Sequence, residues 1–374
     1  MTKIEKLSKY ESKIRPFINR IGLSKTISFY SNQKKKFIKN FADDHFHFDP
    51  VMFDSKSVIL WDIKFNLPIF NAAGMFKHAE SYYTVAKQGA GAWLSGTSTG
   101  LARAGNFKDG ILHPFLPFPK SESAINWMGL PNQGHLSNAK RISKINKIAN
   151  CPIGASLSYD SGIDNLEAMD LMIEGLIAFS KAGVDFIEIN ESCPNVEEGH
   201  SLSNDSLDPS LIQRIETLND RYLKTTTNKI PVIIKLSNDT DPELIQPVID
   251  LLINNNFAGI NLGNTSSKYQ QRRELFNEKE AKQLDYFSSK FGGGISGNPV
   301  KNDSFNLSAL AARYVDKKHL QTEFNIIRTG GITNAADINA SRKENVKLFQ
   351  WYTGYFSNFS KFGHNLYNEL NKQL

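Results

Sequence analysis

Residues 324–331, FNIIRTGG, and 347–354, KLFQWYTG, are two short apolar runs that each end in a glycine-bearing turn. Six earlier runs share this character, and amphipathic stretches such as 165–183 and 241–256 separate them. The eight runs are 68–74, 91–96, 151–158, 184–190, 229–237, 258–264, 324–331 and 347–354. Nearly continuous apolar strands that alternate with helices indicate a parallel sheet covered on both faces. Eight such units predict an α/β fold, the (β/α)8 TIM barrel, rather than an open doubly wound sheet.

The length of the chain suits one large barrel with an extension. The 374 residues are 40% hydrophobic and 22% charged, as in ordinary globular proteins. We expect an N-terminal helical extension over residues 1–55 and the barrel over residues 56–374. Residues 57–68 are predicted to form a β-hairpin at the bottom of the barrel. The polar stretch 266–290 is predicted to be a loop.

The positive charge of the chain is concentrated at its N-terminus. The net charge is +6, yet residues 1–40 alone contain eleven Lys and Arg against Glu5 and Glu11. The remainder is slightly acidic, which argues against nucleic acid as a partner. Two interpretations of residues 1–50 remain open: a helical arm packed on the barrel, or an interfacial anchor whose cations meet anionic lipid. No apolar run has the length of a transmembrane helix, and the first residues lack the apolar core of a secretory signal.

Cysteine usage indicates a reducing, cytoplasmic environment. The only cysteines, Cys151 and Cys193, form neither a CxxC pair nor a zinc-binding spacing, so no metal site is expected. Chemistry in a TIM barrel lies at the C-terminal ends of the strands. Cys193 follows the fourth run within NESCPN (190–195), and it is a candidate base or nucleophile. The alternative is an inert buried thiol.

Two lysines lie where a barrel buries its strands. Lys235 falls inside the apolar run PVIIKLS, and Lys77 follows the first run. A buried lysine needs a partner, because an unpaired charge in an apolar interior is costly. For Lys235 the partner could be an acid at a neighbouring strand end, or an anion such as a reduced flavin.

Glycines follow the seventh and eighth runs, at Thr329-Gly330-Gly331 and Tyr352-Thr353-Gly354. Glycine lets backbone N–H groups approach a phosphate, and these two loops form the usual phosphate site of this fold. No GxGxxG follows the first strand. The pattern therefore favours FMN over a dinucleotide.

Several motifs, in order and spacing, resemble those of the dihydroorotate dehydrogenase family over residues 57–360. NWMGLPNQG (126–134) and INESCPN (189–195) are the most specific. The others are NAAGMFKHAE (71–80), GTSTGLARAGN (96–106), PVIIKLS (231–237), NLGNTSS (261–267), GGGISGNPV (292–300), IIRTGGI (326–332) and WYTG (351–354). The resemblance implies oxidation of dihydroorotate to orotate in pyrimidine biosynthesis, with FMN as the cofactor.

The resemblance also implies a role for each matching residue. Cys193 is similar to the base that takes a proton from C5, while C6 gives a hydride to the flavin. Lys235 resembles the lysine at the pyrimidine edge of the flavin, and Lys77 the lysine near both flavin and substrate. The substrate would contact Asn126, Gly129, Leu130, Asn190, Asn195, Asn264 and Thr265. FMN would contact Ala73, Gly74, Lys77, Thr97, Ser156, Asn190, Lys235, Gly297, Gly330, Gly331, Tyr352 and Thr353.

The chain mixes features of two classes of that family. A cysteine base is typical of the soluble class, whereas the first two strand ends resemble the membrane-associated class, which uses quinone. Gly96, Glu191, Arg328 and the segment VEEGH (196–200) depart from the usual patterns. We expect quinone as the acceptor, with fumarate as an alternative. Peripheral attachment to the inner membrane face and a homodimer are compatible with this interpretation.

Two rival functions stay open at this point. One is an FMN oxidoreductase of the same architecture acting on another dihydropyrimidine or an enone, which Glu191 and the altered segment 196–200 favour. The other is a non-catalytic flavin-binding relative.

Overall fold

The computed structural model describes residues 1–18, 22–44, 46, 56–191 and 207–374. Within these ranges the helices are α1 (Lys3–Ile18), α2 (Leu23–Ala42), α3 (Tyr82–Lys87), α4 (His135–Ile142), α5 (Asn165–Lys181), α6 (Pro209–Leu218), α7 (Ile245–Asn254), α8 (Tyr269–Arg273), α9 (Glu278–Phe291), α10 (Lys301–Lys317), α11 (Ala335–Lys343), α12 (Thr353–Phe362) and α13 (Leu366–Asn371). The strands are β1 (Val58–Leu60), β2 (Ile63–Phe65), β3 (Ile69–Asn71), β4 (Trp93–Ser98), β5 (Ala102–Arg103), β6 (Phe107–Lys108), β7 (Ile111–Leu112), β8 (Phe115–Phe118), β9 (Ser123–Asn126), β10 (Asn132–Gln133), β11 (Ile153–Leu157), β12 (Phe186–Asn190), β13 (Val232–Leu236), β14 (Gly259–Leu262), β15 (Gly294–Gly297), β16 (Asn325–Thr329) and β17 (Leu348–Trp351).

In the described chain, eight parallel strands form the barrel in the spatial order β3, β17, β16, β14, β13, β12, β11 and β4. Each strand overlaps one of the eight predicted apolar runs, so the predicted TIM barrel is confirmed. The seam between β3 and β4 is closed partly by a side chain. Asn71 Nδ2 donates to the carbonyl of Leu94 at 2.7 Å, and Asn71 Oδ1 accepts from the Leu94 N–H at 3.1 Å.

The bottom of the barrel interior is apolar. Strands β1 and β2 form the predicted antiparallel hairpin, and its Leu60 and Phe65 are buried there. Inward-facing residues of the barrel pack with them: Phe70, Leu94, Phe186, Ile233, Ile327 and Leu348. Because alternate residues of each strand face inward, the next layer towards the C-terminal ends is formed by residues two positions further along. That layer is polar, and it forms the floor of the site described below.

The N-terminal residues form helices α1 and α2, as predicted, and these helices pack on the barrel. Ile4 and Phe41 belong to the main core. Ile27 and Tyr30 lie in a second core, against the three-stranded sheet of β8, β9 and β15. Both helices therefore pack on the barrel through these buried side chains. Among the residues described, no helix combines the length and apolar character needed to cross a membrane.

The prediction of a polar loop over residues 266–290 is wrong. Helices α8 and α9 lie there instead. The side chain of Asn277 accepts the Glu280 N–H at 3.3 Å and caps the start of α9. Leu284 and Phe287 are fully buried on its inner face, so the polar composition belongs to the outer face of an amphipathic helix.

Candidate functional site

A cavity opens at the C-terminal ends of the barrel strands. Fifteen of the residues predicted to bind substrate or cofactor line it. They are Ala73, Gly74, Lys77, Thr97, Asn126, Leu130, Asn190, Lys235, Asn264, Thr265, Gly297, Gly330, Gly331, Tyr352 and Thr353.

Two predicted residues are placed differently. Ser156 lies below the cavity on β11, where its hydroxyl is hydrogen-bonded to that of Thr97 at 3.0 Å. Gly129 is in the turn between Met128 and Leu130 and does not itself line the cavity. Cys193 and Asn195 lie outside the described residues.

The floor of the cavity is a buried network of charged and polar side chains. Lys235 Nζ lies 3.5 Å from Glu188 Oε1, with side chains 3% and 0% exposed. Asn261 Nδ2 and Gln350 Nε2 each donate to the other carboxylate oxygen, Glu188 Oε2, at 2.7 Å. Thr329 Oγ1 lies within hydrogen-bond distance of the side-chain oxygens of both Asn261 and Gln350. Of the two predicted partners of Lys235, the acid on a neighbouring strand is therefore present.

Sequence reasoning missed several lining residues: Ala72, Met128, Ser296, Val300, Gln350 and Trp351. Thr329, Ile332 and Gly354 also line the cavity, within or beside the two predicted glycine loops. Sequence reasoning also missed Glu188, which does not line the cavity but lies directly beneath it. The signal that identified Lys235, a polar residue within an apolar run, was present for Glu188 in VDFIEIN and for Gln350 in KLFQWYTG.

An amide cluster forms one wall of the cavity. Asn264 Nδ2 donates to Asn190 Oδ1 at 3.2 Å, and Asn264 Oδ1 accepts the Thr265 N–H at 3.0 Å. Within the described part of the chain, the buried hydroxyls of Thr265 and Tyr352 have no hydrogen-bond partner. Buried hydroxyls are normally satisfied, so the cavity presents polar atoms that a ligand could complete.

Two lysines approach the mouth of the cavity from different parts of the chain. Lys77 Nζ lies 3.9 Å from Met128 Sδ. Lys34, on α2, places its Nζ 3.0 Å from the same sulfur and 5.0 Å from the centre of the Tyr352 ring. Burial lowers the pKa of Lys34 to about 7. Since this contact depends on how the arm packs, nothing in the local sequence indicates it.

The turn after β16 requires glycine at Gly331. Its φ is +66°, a region that residues with a side chain seldom adopt. A Cβ placed there would lie 2.5 Å from the Cα of Lys301, so the turn packs directly on the start of α10. The backbone N–H groups of glycine turns at the seventh and eighth strands of a TIM barrel suit an oxyanion.

Glu191 does not contribute charge to the cavity. Its carboxylate pairs with Arg214 at 2.8 Å, and the Arg214 guanidinium lies over the Tyr159 ring at 5.6 Å. Its side chain is 4% exposed and it is not among the lining residues. One argument for a different substrate is therefore removed, whereas segment 196–200 lies outside the described residues.

Two further observations bear on the chemistry of the site. Cys151 is buried in the outer core, where burial raises its pKa and makes it an unreactive thiol. No cluster of His, Cys, Asp and Glu side chains suited to a metal ion occurs within the described ranges.

Comparisons with known proteins agree with this architecture. The family model described as dihydroorotate dehydrogenase matches residues 55–374. A dihydroorotate dehydrogenase (quinone) from Saccharophagus degradans is 28% identical over 289 residues, covering 76% of this chain and 77% of that protein. One from Marinomonas sp. is 28% identical over 306 residues, covering 80% of each. The ligand-free DHODH structure from Eimeria tenella has a TM-score of 0.75 at 20% identity and covers 91% of this chain and 92% of its own.

Proposed function

The chain belongs to the dihydroorotate dehydrogenase family, and we propose that it oxidises dihydroorotate to orotate with bound FMN and passes the electrons to a quinone. The observation that carries this proposal is the cavity, in which the amide cluster, Lys77, Lys235 and the glycine turns meet at the strand ends. The pairing of Glu191 with Arg214 favours it over the rival dihydropyrimidine or enone substrate.

Members of this family are flavoproteins, and FMN is the flavin that these residues fit best. The turns after β16 and β17 offer one cradle for a single phosphate, formed by Gly330, Gly331 and Thr353. Lys235 and the Gln350 side chain would meet the flavin ring from the floor. When bound, FMN supplies the redox chemistry by accepting a hydride.

The amide wall is the proposed place for the substrate. Asn126, Asn190 and Asn264 can donate to the carboxylate and carbonyl oxygens of dihydroorotate and accept from its ring N–H groups. Asn264 is already oriented by its bond to Asn190, so it needs little rearrangement to bind. The hydroxyl of Thr265, which has no hydrogen-bond partner among the described residues, supplies a further contact. Asn195 is proposed for the same wall from its motif alone.

Cys193 is the proposed base. It follows Asn190 by three residues, and Asn190 lines the cavity. The thiolate of Cys193 would take the proton from C5 of the substrate. The positive charge of Lys77 favours that thiolate, and Lys235 stabilises negative charge that develops on the ring above it.

A single experiment tests the function. We expect the purified protein to be yellow, to release FMN on denaturation, and to lose its flavin absorbance when dihydroorotate is added without oxygen. Orotate should bind and shift the flavin spectrum, whereas uracil should not, because it lacks the carboxylate that the amide wall would hold. Absorbance spectroscopy and chromatography of the released flavin measure these outcomes.

Thr353→Glu provides the control for the cofactor. Thr353 lines the cavity at the first position of α12, where a carboxylate is compatible with the helix but would repel a phosphate. We expect this variant to fold without flavin, and Thr353→Ser to retain it. The proposal would be contradicted if the parent protein carried FAD, or if uracil shifted the flavin spectrum and orotate did not.

We also propose that the arm contacts anionic membranes through α1. Leu7, Tyr10 and Phe17 are 49%, 64% and 62% exposed, and with Ile14 they follow the i, i+3, i+7, i+10 spacing of one helix face. Exposed Lys6, Lys9 and Lys13 flank this stripe. An apolar stripe bordered by lysines is typical of a helix that lies in the membrane interface, where a quinone is dissolved.

Replacing the stripe should weaken membrane binding without unfolding the protein. For Leu7→Ser/Phe17→Ser we expect vesicle binding to fall by roughly 10-fold or more, because the variant lacks two apolar side chains that would be buried in the lipid. Flotation with phosphatidylcholine vesicles, with and without phosphatidylglycerol, measures the bound fraction.

Leu166→Ser is the matched control, since Leu166 is 73% exposed on α5, away from the arm. It should float like the parent. Equal flotation of the double variant and the parent, or failure of both to float on anionic vesicles, would show that α1 only packs on the barrel.

A further inference from the structure

Arg328 is a buried cation directly below the glycine turn after β16. Its side chain points away from the barrel axis, towards α10 and α11, and the residue is 1% exposed. Its guanidinium donates to neutral acceptors: Nε to Ser304 Oγ at 3.0 Å, Nη1 to Ser341 Oγ at 2.6 Å, and Nη2 to the Lys301 carbonyl at 3.0 Å. In the described chain no carboxylate lies within ion-pair distance of it.

The charges around Arg328 do not cancel. Asp337 is the nearest acid, but its carboxylate pairs with Lys301 Nζ at 3.1 Å and accepts the Thr333 N–H at 2.9 Å. Arg328, Lys301 and Asp337 together leave one positive charge. Burial lowers the pKa of Arg328 to about 10, which still leaves it charged at neutral pH. Such a buried cation is costly unless an anion lies nearby.

Arg328 is linked to the glycine turn through one hydroxyl. Ser304 Oγ accepts from Arg328 Nε and lies 2.7 Å from the Gly330 carbonyl oxygen, to which it can donate. The peptide bond is planar and trans, so a Gly330 carbonyl held by Ser304 turns the N–H of Gly331 to the opposite side. Both glycines line the cavity, whereas Ser304 is buried and does not.

We propose that Arg328 is a positioning residue for a dianionic phosphate monoester, the phosphate end of the proposed FMN. It acts in two ways without touching the ligand. It supplies the positive charge that a phosphate at the turn would balance, and through Ser304 it fixes the peptide whose N–H faces that phosphate. The inference rests on the proposed function, because it assumes that the cavity binds a flavin with one phosphate.

Exchange with riboflavin, which lacks the phosphate, isolates this role. The holoprotein is incubated with excess riboflavin, and the ratio of bound FMN to bound riboflavin gives the preference for the phosphate. For Arg328→Met we expect that preference to fall by about 10-fold to 100-fold, as for the loss of one charge acting at close range in a partly buried site. Arg328→Lys keeps the charge and should lose less. Arg313→Met, at an exposed arginine of α10 that pairs with Glu344, should keep the parental preference.

The outcomes separate the alternatives. If Arg328 were purely structural, its replacement would weaken the binding of FMN and of riboflavin equally. An unchanged preference for FMN in Arg328→Met would therefore overturn the proposal. If Arg328→Met does not fold, Ser304→Ala provides the test. This variant removes the link to Gly330 and should lower the preference for FMN over riboflavin several-fold. An unchanged preference in Ser304→Ala would also overturn the proposal. A parent that does not prefer FMN over riboflavin would overturn the proposed phosphate site itself, and this inference with it.

Discussion

Replacing Cys193 by alanine is expected to slow reduction of the bound flavin by dihydroorotate by about 10²-fold to 10⁴-fold, the usual worth of a positioned general base. The binding of FMN and of orotate should be retained, because neither is proposed to depend on the sulfur. Stopped-flow absorbance under anaerobic conditions measures the reduction rate directly.

The pH dependence identifies the group that ionises. A thiol has an ordinary pKa of about 8.5, and only the thiolate can take the proton. The reduction rate should therefore rise with pH and level off above the pKa of the thiol. In Cys193→Ser the remaining activity should shift to higher pH, because a hydroxyl is a weaker acid than a thiol.

Cys151 offers a matched control within the same chain. It is the only other cysteine, and it lies in the outer core, 3% exposed and away from the cavity. Cys151→Ala should reduce its flavin at the parental rate and with the parental pH profile. If Cys193→Ala does so too, Cys193 is a structural thiol, and the proposed base is wrong even though the family assignment stands.

The barrel could be predicted because its strands are buried on both faces. Such strands form short, nearly continuous apolar runs, and β13 within PVIIKLS and β16 within FNIIRTGG show the pattern clearly. Helix α9 was missed for the opposite reason. Only one face of that helix is buried, and its polar majority resembled a loop.

The parts of the site that sequence reasoning missed depend on contacts between distant segments. Lys34 reaches Met128 because α2 packs across the mouth of the barrel, an arrangement set by tertiary packing. Glu191 departs from the family pattern, but its pairing with Arg214 on α6 makes the departure neutral for the cavity. Arg328 is another departure from the family pattern, and the proposal for it depends on the neutral hydrogen-bond partners that surround its guanidinium. Charged residues within apolar runs, such as Glu188, Lys235 and Arg328, therefore indicated buried polar contacts, but the sequence did not identify the partners in those contacts.

The second large effect concerns the ion pair beneath the cavity. Lys235→Met should lower the free energy of unfolding by about 3–5 kcal/mol, because it leaves the Glu188 carboxylate buried without its cation. Glu188→Gln should cost a similar amount, because it leaves the Lys235 cation, whose side chain is 3% exposed, without a carboxylate; among the described residues its side-chain acceptor would then be the Gln350 oxygen, 3.4 Å away. Urea titration of the flavin-saturated proteins measures both losses.

The double variant Lys235→Met/Glu188→Gln separates folding from chemistry. Replacing both charges by neutral groups of similar size is often close to neutral for stability, so the double variant should recover most of what each single change loses. It should nevertheless reduce its flavin slowly, because it lacks the cation that we propose to lie beneath the flavin ring. Glu188→Gln keeps that cation without its counter-charge, so the midpoint potential of its flavin should rise, whereas that of Lys235→Met should fall. Additive losses in the free energy of unfolding would mean that Glu188 and Lys235 do not act as a pair. Equal midpoint potentials in the two single variants would mean that the charge of Lys235 does not act on the flavin.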